Sequence, residues 1–299
     1  MSPNTPGTEV RSYRAIAVEM LKIPEQPPNS SRGYIHGTSH CEQNRLAALN
    51  ELVNEPFLDF LAIGEEDHVL EVGSGLGILT RKVAQRVPGG MIFGLERSST
   101  QIEFALRQLD EAGEDAPLNL NFMQGDAHEL PFTAESFDVV YCRYVLEHLA
   151  DPARAVREMQ RVLRPGGRVF LEEINIFALQ LDPDCAVFED VWRRFGAIQQ
   201  RLGGDPTIGK RLLRLLKDAG FAEVTPSLVP VLRHADTEGF AAWVEVFAEL
   251  LRTGEDTLVE YGIGRREVRA AVLELEALQR RDDATMIFYW NRACARRPG

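Results

Sequence analysis

Residues 69–77 read Val-Leu-Glu-Val-Gly-Ser-Gly-Leu-Gly. An apolar run ends in an acid and a turn with glycine at every second place, just ahead of an amphipathic stretch. Glycine lets the backbone come close to a ligand and take left-handed conformations, and the following helix offers unpaired N–H groups and the positive end of its dipole. Such a turn suits a nucleotide-type cofactor. The dinucleotide fingerprint G-x-G-x-x-G would require glycine at 78, where the chain has Ile78, so NAD is disfavoured while a Rossmann-like sheet survives. More side chains with chemical potential stand at expected strand ends downstream. Glu96 could accept hydrogen bonds from both hydroxyls of a ribose and would repel a 2′-phosphate. His148 is a candidate base, since histidine as a residue type suits removal of a proton from a hydroxyl or ammonium group. Glu173 is a second candidate for that role.

These groups need elements to position them. From Asp67 onward the pattern alternates: strand 68–72, helix 77–86, strand 91–95, helix 98–111, strand 119–124, strand 137–141, helix 152–163, strand 167–173. Alternation of this kind implies parallel strands in an α/β sheet. Ile102, Ala105, Leu106 and Leu109 make one helical stripe, and Val156, Met159 and Leu163 another. Asp151-Pro152 places a capping acid before a proline at the first helical position, and Pro165-Gly166-Gly167 supplies a stop and a turn into the next strand. Upstream, a helix is expected at 41–54, with Leu46, Leu49 and Val53 on one face and Ser39 as cap, and a shorter one at 10–22. Downstream, 176–207 reads as an irregular or helical insertion and 208–218 as a helix. Strands follow at 221–234 and 284–295. Between them, Phe240, Trp243, Val244, Phe247, Leu250 and Leu251 share one helical face, either plain core or the wall of a pocket.

The chain has 299 residues, 44% of them hydrophobic, with 33 Lys plus Arg against 45 Asp plus Glu and a net charge of −12. A buried core is affordable, and broad contact with phosphate backbones or anionic lipid is disfavoured, which argues against nucleic acid and membrane as partners. The four cysteines, at 41, 142, 185 and 294, contain no C-x-x-C pair, so no metal knuckle or disulfide framework is expected. No signal-like segment or apolar run of ~20 residues stands out, and cytoplasmic residence is expected.

The run Glu71-Val72-Gly73-Ser74-Gly75-Leu76-Gly77 resembles the first motif of class I S-adenosylmethionine (SAM) dependent methyltransferases. Further segments follow in that family's order: Gly94–Ser98, Gly125–Phe132, Phe137–Tyr141 and Leu163–Val169. The resemblance implies a Rossmann-like seven-stranded sheet whose last strand runs antiparallel. Its expected layout is an N-terminal helical segment over 1–55 closing on the cofactor, a core over 56–235, a helical cap for the acceptor over 236–283 between the sixth and seventh strands, and the last strand over 284–299. It also implies SAM as cofactor, S-adenosylhomocysteine (SAH) as product, and a small-molecule acceptor of the quinone-pathway or natural-product kind.

Residue by residue, the resemblance sets Glu71 near the methionine amino end and runs Gly73, Ser74, Gly75 and Gly77 along the methionine and ribose. Glu96 would take the ribose, with Arg97 and Gln101 beside it, and Asp126 the adenine amino group, with Gly125 before it and the Ala127 N–H beside it. His128 either packs on the adenine or faces solvent. Arg143 would line the methionine, although its side chain could instead pair with Glu147 four residues on. The segment 33–37 looks like one that folds over the cofactor in some small-molecule methyltransferases, so Tyr34 would meet the methionine carboxylate and His36 the acceptor; a plain turn is the other reading. His148 sits in a stretch that also recurs structurally in the family. No metal is implied, and a monomer or homodimer is expected. Two alternatives stay open: a protein methyltransferase, and a non-catalytic SAM-binding scaffold.

Overall fold

A computed structural model describes Met20 and residues 40–299, without the side chains of 40–44 and 46–48. The expected 10–22 helix, Ser39, and the segment carrying Tyr34 and His36 lie outside the described residues, Met20 apart. Helix α1 (His40–Phe60) is followed by β1 (His68–Val72), α2 (Ile78–Arg86), β2 (Met91–Glu96), α3 (Ser99–Ala112), β3 (Leu120–Gln124) and β4 (Phe137–Arg143). Then come α4 (Pro152–Val162), β5 (Leu163–Glu173), β6 (Gln180–Asp182), α5 (Ala186–Arg201), α6 (Leu212–Asp218) and β7 (Ala222–His234). Helices α7 (Phe240–Glu260) and α8 (Arg265–Gln279) lead into β8 (Thr285–Arg296).

The strands form one sheet in the order β3-β2-β1-β4-β5-β8, with β7 along the far side of β8. β1 to β5 are parallel to their neighbours, and β8 is antiparallel to both β5 and β7. The expected seven strands are present. The eighth, β6, is a three-residue piece from the insertion that pairs with the first residues of β8, just beyond where β5 stops. Central strands read as continuous apolar runs because both faces are covered. One face packs against α1 and α2 through Phe57, Leu58, Leu79 and Val83. The other packs against α4 and α6 through Val156, Met159, Leu212 and Leu216. A third apolar cluster joins α5, α7, α8 and the start of β8 into the cap.

Local chemistry sets most boundaries. Asp151 accepts the Arg154 N–H at 2.9 Å with Pro152 in the first turn, and Ser98 caps α3 through the Gln101 N–H. Of the boundaries that differ from expectation, two have a clear cause. Helix α1 runs through Pro56 to Phe60, because Phe57 and Leu58 beyond the proline are buried against the sheet, and that burial outweighs the lost backbone bond. Strand β5 begins at Leu163, so Pro165-Gly166-Gly167 is an irregularity inside it. Gly166 takes φ +77°, and the chain beyond β8 pairs with this kink, Gly166 N–H to Arg297 O at 2.9 Å and Arg297 N–H to Gly167 O at 2.8 Å. Among the described residues, no helix is long and apolar enough to cross a membrane.

Candidate functional site

The carboxyl ends of β1, β2, β3 and β4 open onto a cavity of about 620 Å³, at the edge where open α/β sheets bind ligands. Of the expected cofactor residues, Glu71, Gly73, Ser74, Gly75, Glu96, Arg97, Gln101, Gly125, Asp126, Ala127 and Arg143 line it. Gly77 and His128 do not.

The three glycines of the turn all have positive φ, +80°, +54° and +70°, but they do different things. A Cβ on Gly73 would lie 2.2 Å from Val145 Cγ2, and one on Gly77 2.3 Å from Phe122 Cζ. These two let the turn and α2 close against the sheet. Only Gly75 is open: a Cβ there would meet nothing nearer than Gln101 Oε1 at 3.9 Å, so its backbone is the part a ligand can approach. Of the three expected to run along the ligand, Gly73 and Gly75 line the cavity and Gly77 does not.

Glu71 is buried, and its Oε2 accepts Thr80 Oγ1 at 2.5 Å and the Tyr141 hydroxyl at 2.9 Å. Burial pushes its carboxyl up to about 7, against the pull of those two hydrogen bonds. Glu96 bridges the glycine turn and the start of α3, accepting the Gly75 N–H at 3.1 Å on Oε2 and the Ser98 N–H at 2.8 Å on Oε1. Burial raises its carboxyl although those N–H groups oppose the shift. It thus does the turn-anchoring work of a capping acid while lining the cavity, and each oxygen keeps acceptor capacity. Asp126 Oδ1 accepts the His128 N–H at 2.8 Å and lies 2.7 Å from His128 Nδ1. Burial pushes Asp126 up, yet the His128 bonds outweigh it and leave the acid below its ordinary value. His128 therefore orients Asp126.

Arg143 does not pair with Glu147. Its Nη2 donates to Asn50 Oδ1 and Asn54 Oδ1, both at 2.7 Å, and its guanidinium lies 5.2 Å from the Phe57 ring centre. This ties α1 to the end of β4, while Arg143 Nη1 and Ser74 Oγ are buried with no hydrogen-bond partner among the described residues. Glu173 is corrected more strongly. It is fully buried, and its carboxylate accepts the N–H groups of Val145 at 3.1 Å, Leu146 at 2.8 Å and Glu147 at 3.3 Å. Because it reaches backbone and neither cavity, it holds the loop after β4 in shape and is not a base.

That loop carries the rest of the site. A second cavity of about 120 Å³ adjoins the first, and Leu49, Tyr144 and His148 line both. Tyr144 has φ +57°, a strained setting for a bulky residue. Its hydroxyl donates to Glu172 Oε1 at 2.8 Å, its ring lies 4.9 Å from Trp290, and Glu172 forms a buried ion pair with Arg292. The walls of the second cavity come from α5, α7 and β8: Trp192, Phe195, Trp243, Phe247, Leu250 and Trp290. The stripe on α7 is thus divided. Trp243, Phe247 and Leu250 face the cavity, and Phe240, Val244 and Leu251 are core. Sequence reasoning missed Tyr144, Glu147, Trp192, Phe195, Gln199 and Trp290. Their one available signal was that every tryptophan falls outside the motif segments.

The cavity residues fit a SAM-sized guest: the volume is within the ~300–1,000 Å³ of small-molecule sites, Gly75 leaves an open cradle, and Ser74 Oγ and Arg143 Nη1 are donors awaiting an acceptor. Comparison with known proteins agrees. The methyltransferase-domain family profile matches residues 70–171. An uncharacterized methyltransferase of Schizosaccharomyces pombe is 32% identical over 180 residues, 59% of this chain and 64% of that protein. A ubiquinone biosynthesis O-methyltransferase of Coxiella burnetii is 33% identical over 108 residues, 36% of this chain and 44% of that one. The chain spans less than two thirds of the length of these relatives. Among solved structures, a geranyl diphosphate methyltransferase shares the fold with TM-score 0.51 at 16% identity, covering 93% of this chain and 89% of its own. A [4+2]-cyclase shares it with TM-score 0.53 at 23% identity, covering 97% and 92%. Residues 70–171 thus match a methyltransferase domain, and over that stretch the chain is similar to known methyltransferases.

Proposed function

We propose that the chain holds SAM in the larger cavity and transfers its methyl group to an O, N or C atom of a small molecule seated in the smaller one. The observation that carries this reading is the meeting of the two cavities at Leu49, Tyr144 and His148. When bound, SAM supplies a methyl already activated on a sulfonium, so the protein's task is alignment and exclusion of water. Glu96 and the Gly75 backbone would hold the ribose, Asp126 and the Ala127 N–H the adenine, and Glu71, Ser74 and Arg143 the amino-acid end. Tyr144, fixed through Glu172 and Arg292, forms the partition beside the reacting atoms, and the aromatic walls keep water out.

His148 is the group placed to take a proton from the acceptor. Its Nε2 lies 3.8 Å from Glu147 Oε1, and Glu147 is in turn held by Gln199 Nε2 at 2.9 Å. A mostly aromatic chamber of only about 120 Å³ supports a small acceptor over a protein segment. The test is calorimetric titration with SAH, followed by turnover of labelled SAM against a set of small hydroxylated and amino acceptors. His148→Gln is expected to lower the rate by ~10²–10⁴ and leave SAH affinity within twofold. Absence of SAH binding to the wild-type protein would sink the proposal.

A further inference from the structure

Tyr144 borders both cavities, and its ring is held from each side. From the larger cavity the guanidinium of Arg143 lies 5.4 Å from its ring centre. From the smaller one the Trp290 ring lies 4.9 Å away, tilted by 45°. At these separations a cation and a second ring both attract an aromatic side chain. The rest of the residue is tied down. Its N–H donates to Glu172 O at 3.0 Å and its hydroxyl to Glu172 Oε1 at 2.8 Å, and the fully buried Glu172 is paired across the strands with Arg292. With backbone and hydroxyl fixed and φ at +57°, the motion left to Tyr144 is a tilt of its ring between Arg143 and Trp290.

The hold on the Arg143 side is open to change. Arg143 Nη1 is buried with no hydrogen-bond partner among the described residues, while Nη2 is spent on Asn50 and Asn54. A carboxylate that meets Nη1 offsets the guanidinium charge and weakens its pull on the ring, so the ring settles further onto Trp290. Trp290 in turn stands 5.9 Å from Trp243, and both face the smaller cavity. A tilt at Tyr144 therefore reaches the wall of that chamber without any guest inside it.

We infer that Tyr144 is a positioning residue that couples the two cavities: a carboxylate-bearing guest of the larger cavity, by engaging Arg143, sets the Trp290–Trp243 wall of the smaller one through the Tyr144 ring. Such coupling is reciprocal, so a guest seated against Trp290 also alters the grip of the larger cavity on its own guest. This inference rests on the reading of the larger cavity as the SAM site, with the amino-acid end of the donor at Arg143.

All three tryptophans of the chain line the smaller cavity and none lines the larger, so tryptophan emission reports the chamber and not direct contact with the donor. The protein is titrated with SAH and with 5′-methylthioadenosine, the same nucleoside thioether without the amino acid, and calorimetry on each variant fixes where saturation lies. SAH is expected to give a saturable emission change with the calorimetric midpoint, and saturating methylthioadenosine less than half of that amplitude. In Tyr144→Leu, which removes the ring, the amplitude at SAH saturation is expected to fall at least threefold, whatever the affinity of the variant. If that variant no longer binds SAH, Trp290→Phe, which removes the tryptophan beside Tyr144, takes its place and should show the same loss. SAH bound by the wild-type protein with no emission change, equal amplitudes from SAH and methylthioadenosine, or a full response in either variant would each overturn the inference. Failure of the wild-type protein to bind SAH would instead remove the reading beneath it, so the two failures are told apart.

Discussion

Replacing Glu71 by glutamine should move fold stability and cofactor affinity in opposite directions. Burial pushes the Glu71 carboxyl from its ordinary 4.5 up to about 7, so the folded protein holds this proton more tightly than the unfolded chain does. An acid raised in this way favours the fold below its unfolded value and withdraws that support as pH climbs through the folded value. The window is therefore pH 4.5 to 7. At ~1.4 kcal/mol per pH unit the whole withdrawal is about 3 kcal/mol, which is a large part of an ordinary domain's stability. Glutamine cannot ionise, and its amide oxygen can still accept from Thr80 and Tyr141. Glu71→Gln should then be more stable than wild type at pH 8, by up to ~3 kcal/mol, and nearly equal to it at pH 4.5. Urea unfolding at the two pH values measures this difference. At pH 8 the same variant should bind SAH more weakly, by ~1–3 kcal/mol, because a charge-assisted bond to the amino group is lost. A variant less stable than wild type at pH 8, or a gain that does not depend on pH, would refute the reasoning that burial is what raises this group.

Glu96→Ala should weaken SAH binding by ~1.5–3 kcal/mol through lost charge-assisted bonds; unchanged affinity in calorimetry would confine Glu96 to anchoring Gly75 and Ser98. Glu173→Ala leaves three backbone N–H groups without their acceptor and should lower stability by ~3 kcal/mol at ~1 kcal/mol or more per group, a loss that denaturant curves would show and that a change below ~0.5 kcal/mol would contradict. Gly77→Ala should destabilise the fold by ~1–3 kcal/mol, since its methyl enters the Phe122 ring space. Gly75→Ala should cost SAH affinity together with ~1 kcal/mol of stability from its φ of +54°, less than at Gly77, and the reverse pattern in paired unfolding and binding measurements would undo the assignment of these two glycines.

The strands were legible where composition and punctuation agreed: β7 and β8 begin and end within one residue of their expected bounds, and the acid ending β1 and the acid ending β2 both face the cavity. Periodicity identifies which face of a helix is apolar, but it does not say whether that face meets core or empty space, and α7 does both. Glu173 misled because a carboxylate at a strand end looks alike whether it faces ligand or backbone; only the turn of the loop after β4 decides. The glycine spacing likewise could not distinguish clearance for Val145 and Phe122 from clearance for a ligand. Helix α1 passed through Pro56 on the strength of tertiary burial, which a local signal cannot carry. The chamber wall was beyond reach, since Trp192, Trp243 and Trp290 converge from separate elements across a hundred residues.

That convergence also separates two kinds of change. The residues proposed to hold the donor lie between 71 and 143 in the wall of the larger cavity, whereas the chamber beside it draws its wall mainly from α5, α7 and β8. Under the proposed function, exchanging those peripheral helices retargets the acceptor while the donor chemistry stays intact, so diversification of this scaffold proceeds by swapping its outer furniture and leaving the engine alone.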